Sequence, residues 1–389
     1  MKGRQLLRPW VVALACAAGV WPRFVALTEA HKPITSPYTF TEHVQPILRE
    51  HCRSCHRDGG VAPMPLDTPE QAAPWAESIR LELIAGHMPP WPVEAPRGRF
   101  HHANALTARE LDTILTWASG GTPAGPVPTA GPAPATGDWP LGTPDLELAL
   151  APHSLGAGAQ AGQVELAIPL PASAPRWLRA VDLKPGAPEM VRSATITVDA
   201  PATTRRGAAT GGTRVLGLWV PGEPPVALPH GVGFEVPPGA TLVVRVRYRK
   251  TWQYEQVSLT DRSVIGLYGA TGAPRALQSL QVDAGLGVPS TQAVDGRARL
   301  MAVSTDPEAP EAGVSLTVRP PGGPEAELFA SRPGGGWARR YWLAEPIVLE
   351  PGTTVTARVR PRSDAKAAAG SSGPDGSAAR LSLEFVPEP

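Results

Sequence analysis

Three cysteines are all that this chain of 389 residues contains: Cys16 lies in an N-terminal apolar stretch, and Cys52 and Cys55 share one short motif. No disulfide framework can be built from such a set, so packing must hold the body of the protein together. Neither sign of charge is in excess, with 36 lysines and arginines against 35 aspartates and glutamates. That balance leaves no nucleic-acid footprint and no field to steer a strongly acidic substrate. Long apolar runs are missing as well, and the stretch from Pro9 to Trp21 is too short for a comfortable membrane span. Proline (47) and glycine (40), by contrast, make up more than a fifth of the chain. This disfavours long helices and fits many short strands joined by turns. The length is a prior for two or three domains.

Lys2, Arg4 and Arg8 precede the apolar stretch, and Arg23, Glu29 and Lys32 end it. A charged segment followed by a short apolar one reads as a signal peptide over residues 1–30, with cleavage after Ala30 and export across a bacterial inner membrane to the periplasm. In the alternative, Ala13-Leu14-Ala15-Cys16 stands for a lipobox with its leucine one place out of register, and a lipidated Cys16 anchors the protein to a membrane.

One stretch specifies a chemistry by itself. Cys52-Arg53-Ser54-Cys55-His56 is a C-x-x-C-H sequence, which reads as a c-type haem attachment site. Two thiols at that spacing add to the haem vinyl groups, and His56 is the proximal iron ligand. A redox-active dithiol has no use for the fixed histidine, and a zinc site has to recruit His87, His101 or His102 as further ligands. Around the motif the pattern predicts three helices. The first runs from Thr39 to Glu50 and continues to Arg57; the second runs from Pro69 to Ala85, with Gly86 as a left-handed cap. The third starts at the N-cap Thr107, with Glu110 as capping-box partner and Leu106 and Leu111 as a staple, and stops at Gly120-Gly121.

Three short helices around C-x-x-C-H, with Met88-Pro89 between the second and third, resemble a class I cytochrome c. Val44-Gln45-Pro46-Ile47-Leu48, Ala62-Pro63-Met64 and Met88-Pro89-Pro90-Trp91 look like the cytochrome domain that some bacterial proteins carry fused to monooxygenase-like β domains. The resemblance covers residues 36–121, under a quarter of the chain. It implies one covalent haem c on Cys52 and Cys55, His56 as proximal ligand and Met88 as distal ligand, with Met64 and His87 as rivals for the distal place. Arg97 and Arg99 are candidate partners for the haem propionates.

Residues 122–137 are almost wholly Pro, Ala, Gly and Thr, an extended linker. Beyond it the apolar period becomes two: Val164–Ile168, Thr195–Val198, Leu242–Tyr248, Val314–Val318, Thr353–Val359 and Leu381–Phe385 alternate between Pro-Gly turns. The pattern predicts two antiparallel β-sandwiches, over 138–270 and 271–389, with a small polar loop from Asp364 to Ala379 before the last strand. Gly142-Thr143-Pro144-Asp145-Leu146, Trp219-Val220-Pro221-Gly222-Glu223, Leu228 to Gly233, Pro238-Gly239-Ala240, Trp337, Tyr341, Glu345-Pro346 and Pro351-Gly352-Thr353 resemble the copper type II, ascorbate-dependent monooxygenase family, the peptidylglycine hydroxylase scaffold. That resemblance implies jelly-roll domains. The family holds its two copper ions with five histidines and a methionine, whereas this chain has only His153 and His230 beyond the linker. The family's paired histidines fall at Arg192-Ser193, a His-Tyr falls at Arg247-Tyr248, and the His-x-His strand falls at Leu300 to Val303. Arginine does not deprotonate to bind metal, so no copper is expected, and His230, between Pro229 and Gly231, is a turn residue.

The expected protein is therefore a multidomain α plus all-β chain, an exported monohaem cytochrome that passes single electrons to a protein redox partner, with its β domains as a docking or binding platform. Two alternatives stand beside it: an oxidoreductase that turns over a substrate held by the β domains, and a redox-sensing binding module.

Overall fold

Local signals set the helices, and proline and glycine decide where they break. The computed structural model describes residues 35–90, 93–94, 99–101, 106–126, 139–199, 214–307, 313–331, 337–360 and 378–388. The expected signal peptide, Cys16, Trp91, Arg97 and His102 lie outside these, as do most of the linker and of the 364–379 loop.

A wide helical turn, Phe40–Val44, leads into α1 (Gln45–His51), where Pro46 sits at the start of the helix, a place that needs no N–H donor. The expected continuation to Arg57 is not helical. The Leu48 carbonyl accepts from both Cys52 N–H (2.9 Å) and Arg53 N–H (2.8 Å), which loosens the ladder, and the motif follows as turns. The second expected helix is likewise divided, into α2 (Pro69–Ala72), a 3₁₀ turn (Ala73–Trp75) and α3 (Ala76–Ile84). Pro74 in the middle supplies no N–H and forces the tighter turn. Gly86 has φ +69°, as its sequence position predicts, and His87 N–H donates to the Glu82 carbonyl (3.0 Å) while Gly86 N–H donates to that of Leu83 (3.1 Å), a Schellman closure. In α4 (Ala108–Ser119) the capping box is reciprocal: Glu110 N–H donates to Thr107 Oγ1 (2.9 Å) and Thr107 N–H to Glu110 Oε2 (2.6 Å). Phe40, Val44, Ile114 and Trp117, all fully buried, centre the small core these elements share. Residues at the head of the linker are tied to it, since Phe40 N–H and Trp117 Nε1–H both donate to the Pro123 carbonyl.

The remainder is mostly strand. The first part holds β1 (Leu146–Ala149), β2 (His153–Leu155), β3 (Ala161–Pro169), β4 (Trp177–Lys184), β5 (Val191–Asp199), β6 (Arg214–Trp219), β7 (Val232–Glu235), β8 (Thr241–Arg249), β9 (Leu259–Asp261) and β10 (Val264–Gly269). After β11 (Arg275–Ala276), which joins the first part through β7, the second holds β12 (Gln278–Gly285), β13 (Ser290–Ala293), β14 (Ala298–Thr305), β15 (Gly313–Arg319), β16 (Ala326–Ala330), β17 (Arg340–Leu349), β18 (Thr354–Arg360) and β19 (Ala378–Pro387). Sheets ordered β1-β10-β4-β7-β11 and β3-β8-β5-β6 share one apolar core; sheets ordered β12-β19-β14-β17 and β13-β18-β15-β16 share another. Pairing is antiparallel except for the short β7–β11 contact. In β8 the inward residues Leu242, Val244, Val246 and Tyr248 alternate with more exposed ones, the expected period of two.

Two features tie the parts together. A bulge in β14 lets Met301 leave its own core and join, with Trp342 and Val386, the core of the first sheet pair. Residues 93–94 and 99–101 bridge to the second sheet pair: Glu94 N–H donates to the Ala330 carbonyl (2.8 Å), His101 N–H to that of Trp342 (2.8 Å), and Phe100 is buried against Phe329 and Tyr341. Among the described residues, no helix is long and apolar enough to cross a membrane.

Candidate functional site

The motif is held by the loop that follows it. Cys55 and His56 N–H both donate to the Cys52 carbonyl (3.1 and 2.9 Å), and Ala62 N–H and Leu66 N–H return to the carbonyls of Cys55 and His56. Gly60 makes this fold-back close, for a Cβ there would stand 2.3 Å from the Cys55 carbonyl oxygen. Arg53 pairs with Asp67 (2.7 Å), whose carbonyl also accepts from Gln45.

The chemistry of the three motif side chains is uniform. Burial pushes the Cys52 thiol up to about 12, with Cys55 adding to the rise. Burial also raises Cys55, opposed by the Ser54 hydroxyl and by Arg192, Arg57 and Arg339. Burial lowers His56, opposed by its hydrogen bond to the Met64 carbonyl. Burial thus holds both thiols above their ordinary range. His56 Nδ1 lies 3.1 Å from the Met64 carbonyl; that contact fixes Nδ1 as the protonated nitrogen and leaves Nε2 with its lone pair, the arrangement of a metal-binding imidazole. Among the described residues, the group whose donor atoms all lie within 4.8 Å of one another is Glu50, His51 and Glu110, and it excludes the motif. Two thiols and an imidazole that do not converge on one point suit a group that binds them at separate atoms, as a haem does, better than a single ion.

The other expected residues separate. Met88 is 41% exposed and stands near Leu81 and Ile84, also exposed, at the end of α3. Met64 packs against the helical core. His87 is exposed and pairs through Nδ1 with Glu82 (3.0 Å), so it serves the helix end. Arg99 Nη1 reaches the Glu327 and Leu328 carbonyls, in the second sheet pair. His230 is exposed in a turn, as expected. Arg247 donates to Gln163 Oε1 and the Pro307 carbonyl, and Tyr248 donates to Asp261 Oδ2 (3.1 Å) while stacking on His153 at 4.7 Å. The Leu300–Val303 segment is buried strand.

Sequence reasoning missed the wall behind the motif. The Cys55 thiol points at the Pro221 carbonyl (3.7 Å), and a Cβ on Gly222, whose φ is +79°, would stand 2.3 Å from Ser54 Oγ. The neighbouring Glu223 is paired with the buried Arg339 (2.7 Å). Arg192 on β5 donates to the Val61 carbonyl, in the loop that folds back on the motif. The only available signal was the dipeptide Pro221-Gly222, which marks a turn without naming its neighbour.

No protein-family model matches the chain, and no curated protein does. Among solved structures, the major capsid protein P2 from bacteriophage PM2 is 9% identical over 62% of this chain and 97% of its own, with a TM-score of 0.26. PNGase F, a glycosylasparaginase from Flavobacterium meningosepticum, is 13% identical over 63% of this chain and 96% of its own, with a TM-score of 0.28. A Paenibacillus xanthan lyase is 11% identical over 68% of this chain and 28% of its own, with a TM-score of 0.19. Scores this low establish no common fold.

Proposed function

We propose that this protein is an exported c-type cytochrome whose helical segment carries one covalent haem c, and whose two sheet pairs, copper-free and jelly-roll-like, form a docking or binding platform. The observation that carries the reading is the Cys52–His56 motif in its setting: two thiols at the C-x-x-C spacing followed by an imidazole held through Nδ1 by the Met64 carbonyl, with Nε2 left for a ligand. Bound there, haem c supplies a one-electron iron couple. Cys52 and Cys55 would hold the group by thioether bonds, and His56 Nε2 would be its proximal ligand. The Met64 side chain packs on the helical core and His87 pairs with Glu82, which supports Met88 as the residue that would be the distal ligand. A second reading is an oxidoreductase with an open iron position, in which Met88 does not reach the iron.

A pyridine haemochrome spectrum on protein produced with a haem-attachment system tests the first point, and absence of covalent haem refutes it. Met88→Ala separates the two readings. For the closed cytochrome, the oxidised protein loses the weak far-red methionine-to-iron band and gains rapid cyanide binding, while Met64→Leu leaves both as they were. Rapid cyanide binding by the unmodified protein establishes the open form instead.

A further inference from the structure

The motif is built into the β region as well as the helical segment. Beside it stands a cation without a counter-ion. Arg192 reaches from β5 to the Val61 carbonyl, five residues beyond His56 in a loop whose Ala62 N–H is bonded to the Cys55 carbonyl. Among the described residues no carboxylate pairs with it. The second arginine near Cys55, Arg339, is matched by Glu223 at 2.7 Å, so its field is largely cancelled. Burial and the neighbouring Arg249 weaken the hold of Arg192 on its proton, down to about 10, and only Cys55 acts in the opposite sense. A half-buried guanidinium facing another arginine and a thiol is an unfavourable place for a charge, and at pH 7 it remains charged.

We infer that Arg192 is a positioning and tuning residue of the redox centre: its uncompensated charge, delivered by the first sheet pair, favours the reduced state and holds the potential up. The inference rests on the haem reading above. Reduction adds one negative charge at the iron, and a fixed cation in a partly desolvated setting stabilises that electron, whereas water would screen it. The fusion of a haem segment to a β region then has an electrostatic result: a haem segment lacking the sheets lacks the charge. The Val61 contact adds position, for it pins the loop whose other end holds His56 through Met64.

The test is a spectroelectrochemical titration of the full-length holoprotein with Arg192→Gln and Arg192→Lys, with haem content read in parallel. Arg192→Gln is expected to lower the equilibrium constant for reduction about tenfold, the order one charge exerts at protein dielectric, a fall of about 60 mV for a one-electron couple. Arg192→Lys restores most of it. Arg249 is exposed, so Arg249→Glu supplies a counter-charge beside Arg192 without touching the core, and is expected to lower the potential in the same direction even where Arg192→Gln folds poorly. Normal haem content with an unmoved potential in Arg249→Glu and in the folded Arg192 variants overturns the inference alone. Absence of covalent haem from the unmodified protein overturns the haem reading and the inference with it.

Discussion

Replacing Arg340 by methionine tests how the two sheet pairs are joined. Arg340 opens β17 and is 6% exposed; its Nε lies 2.8 Å from both oxygens of Glu384, itself 4% exposed, and bonds to Oε1. Its two remaining nitrogens donate to the Leu216 and Val215 carbonyls of β6 (2.8 and 2.9 Å), and its guanidinium lies over Phe234 and Trp342 at 5.2 and 5.3 Å. At an effective dielectric of 20 and this separation the pair attracts by about 6 kcal/mol, and taking two ions out of water offsets most of that. The net worth of the intact pair is therefore small, yet removing one partner strands the other. Arg340→Met leaves the Glu384 carboxylate buried with only Ser304 Oγ as donor (2.6 Å) and is expected to destabilise by about 3 to 5 kcal/mol. Arg340→Met with Glu384→Leu removes both ions and leaves two carbonyls without donors, a loss of about 1 to 3 kcal/mol each in the unfavourable case. The double variant is thus expected to be no worse than the single, although it removes more contacts. Urea unfolding followed by tryptophan fluorescence measures both. A double variant that loses the sum of the two single losses refutes the reasoning, because additivity means that the two charges do not interact.

Two further outcomes follow from the same physics. Burial raises the Asp182 carboxyl to about 6 against an ordinary 3.8, so the folded state holds its proton more tightly and stability falls as pH rises from about 4 to about 6. Asp182→Asn is expected to gain on the order of 3 kcal/mol over the unmodified protein above pH 6 and little at pH 4, read as the difference between urea midpoints at the two pH values; an equal gain at both overturns the assignment. Gly222→Ala forces a side chain into a left-handed backbone position and onto Ser54, and is expected to loosen the contact with the motif, seen as faster thiol alkylation at Cys55 in haem-free protein; unchanged alkylation shows that the wall is not closed.

What could be read from the chain depended on the distance over which each signal acts. Capping at Thr107 and Glu110, the left-handed glycine at Gly86 and the alternation in β8 are local rules, written in residues a few positions apart. Thr68-Pro69-Glu70-Gln71 carries the same box, since Gln71 N–H donates to Thr68 Oγ1 and Thr68 N–H to Gln71 Oε1, and it was there to be read. The motif specifies its chemistry through residue type alone. By contrast, residues 99–101 meet the second sheet pair through the buried Phe100 and the His101 N–H, whose partners lie more than two hundred residues away. Met301 defeats alternation because the bulge beside it turns an outward position into a second core contact. Arg192 was marked in the sequence only as a residue that cannot bind copper; nothing there pointed to its contact with Val61, since a lone arginine on a strand is ordinarily a solvated one.

The wall behind Cys55 also bears on the timing of biogenesis. Pro221 and Gly222 lie against the thiol and its neighbour Ser54, and they belong to a turn some 166 residues later in the chain. If the thiols are modified, the modifying machinery must reach them before that turn arrives. The motif emerges before that turn during synthesis, and the contact forms only once the later segment has arrived. On the proposed haem reading, chain order is then also an order of maturation, in which attachment comes before the turn settles against Cys55; a version of this protein with its β region placed ahead of the motif is expected to take up less haem even though every contact in its finished fold could be the same.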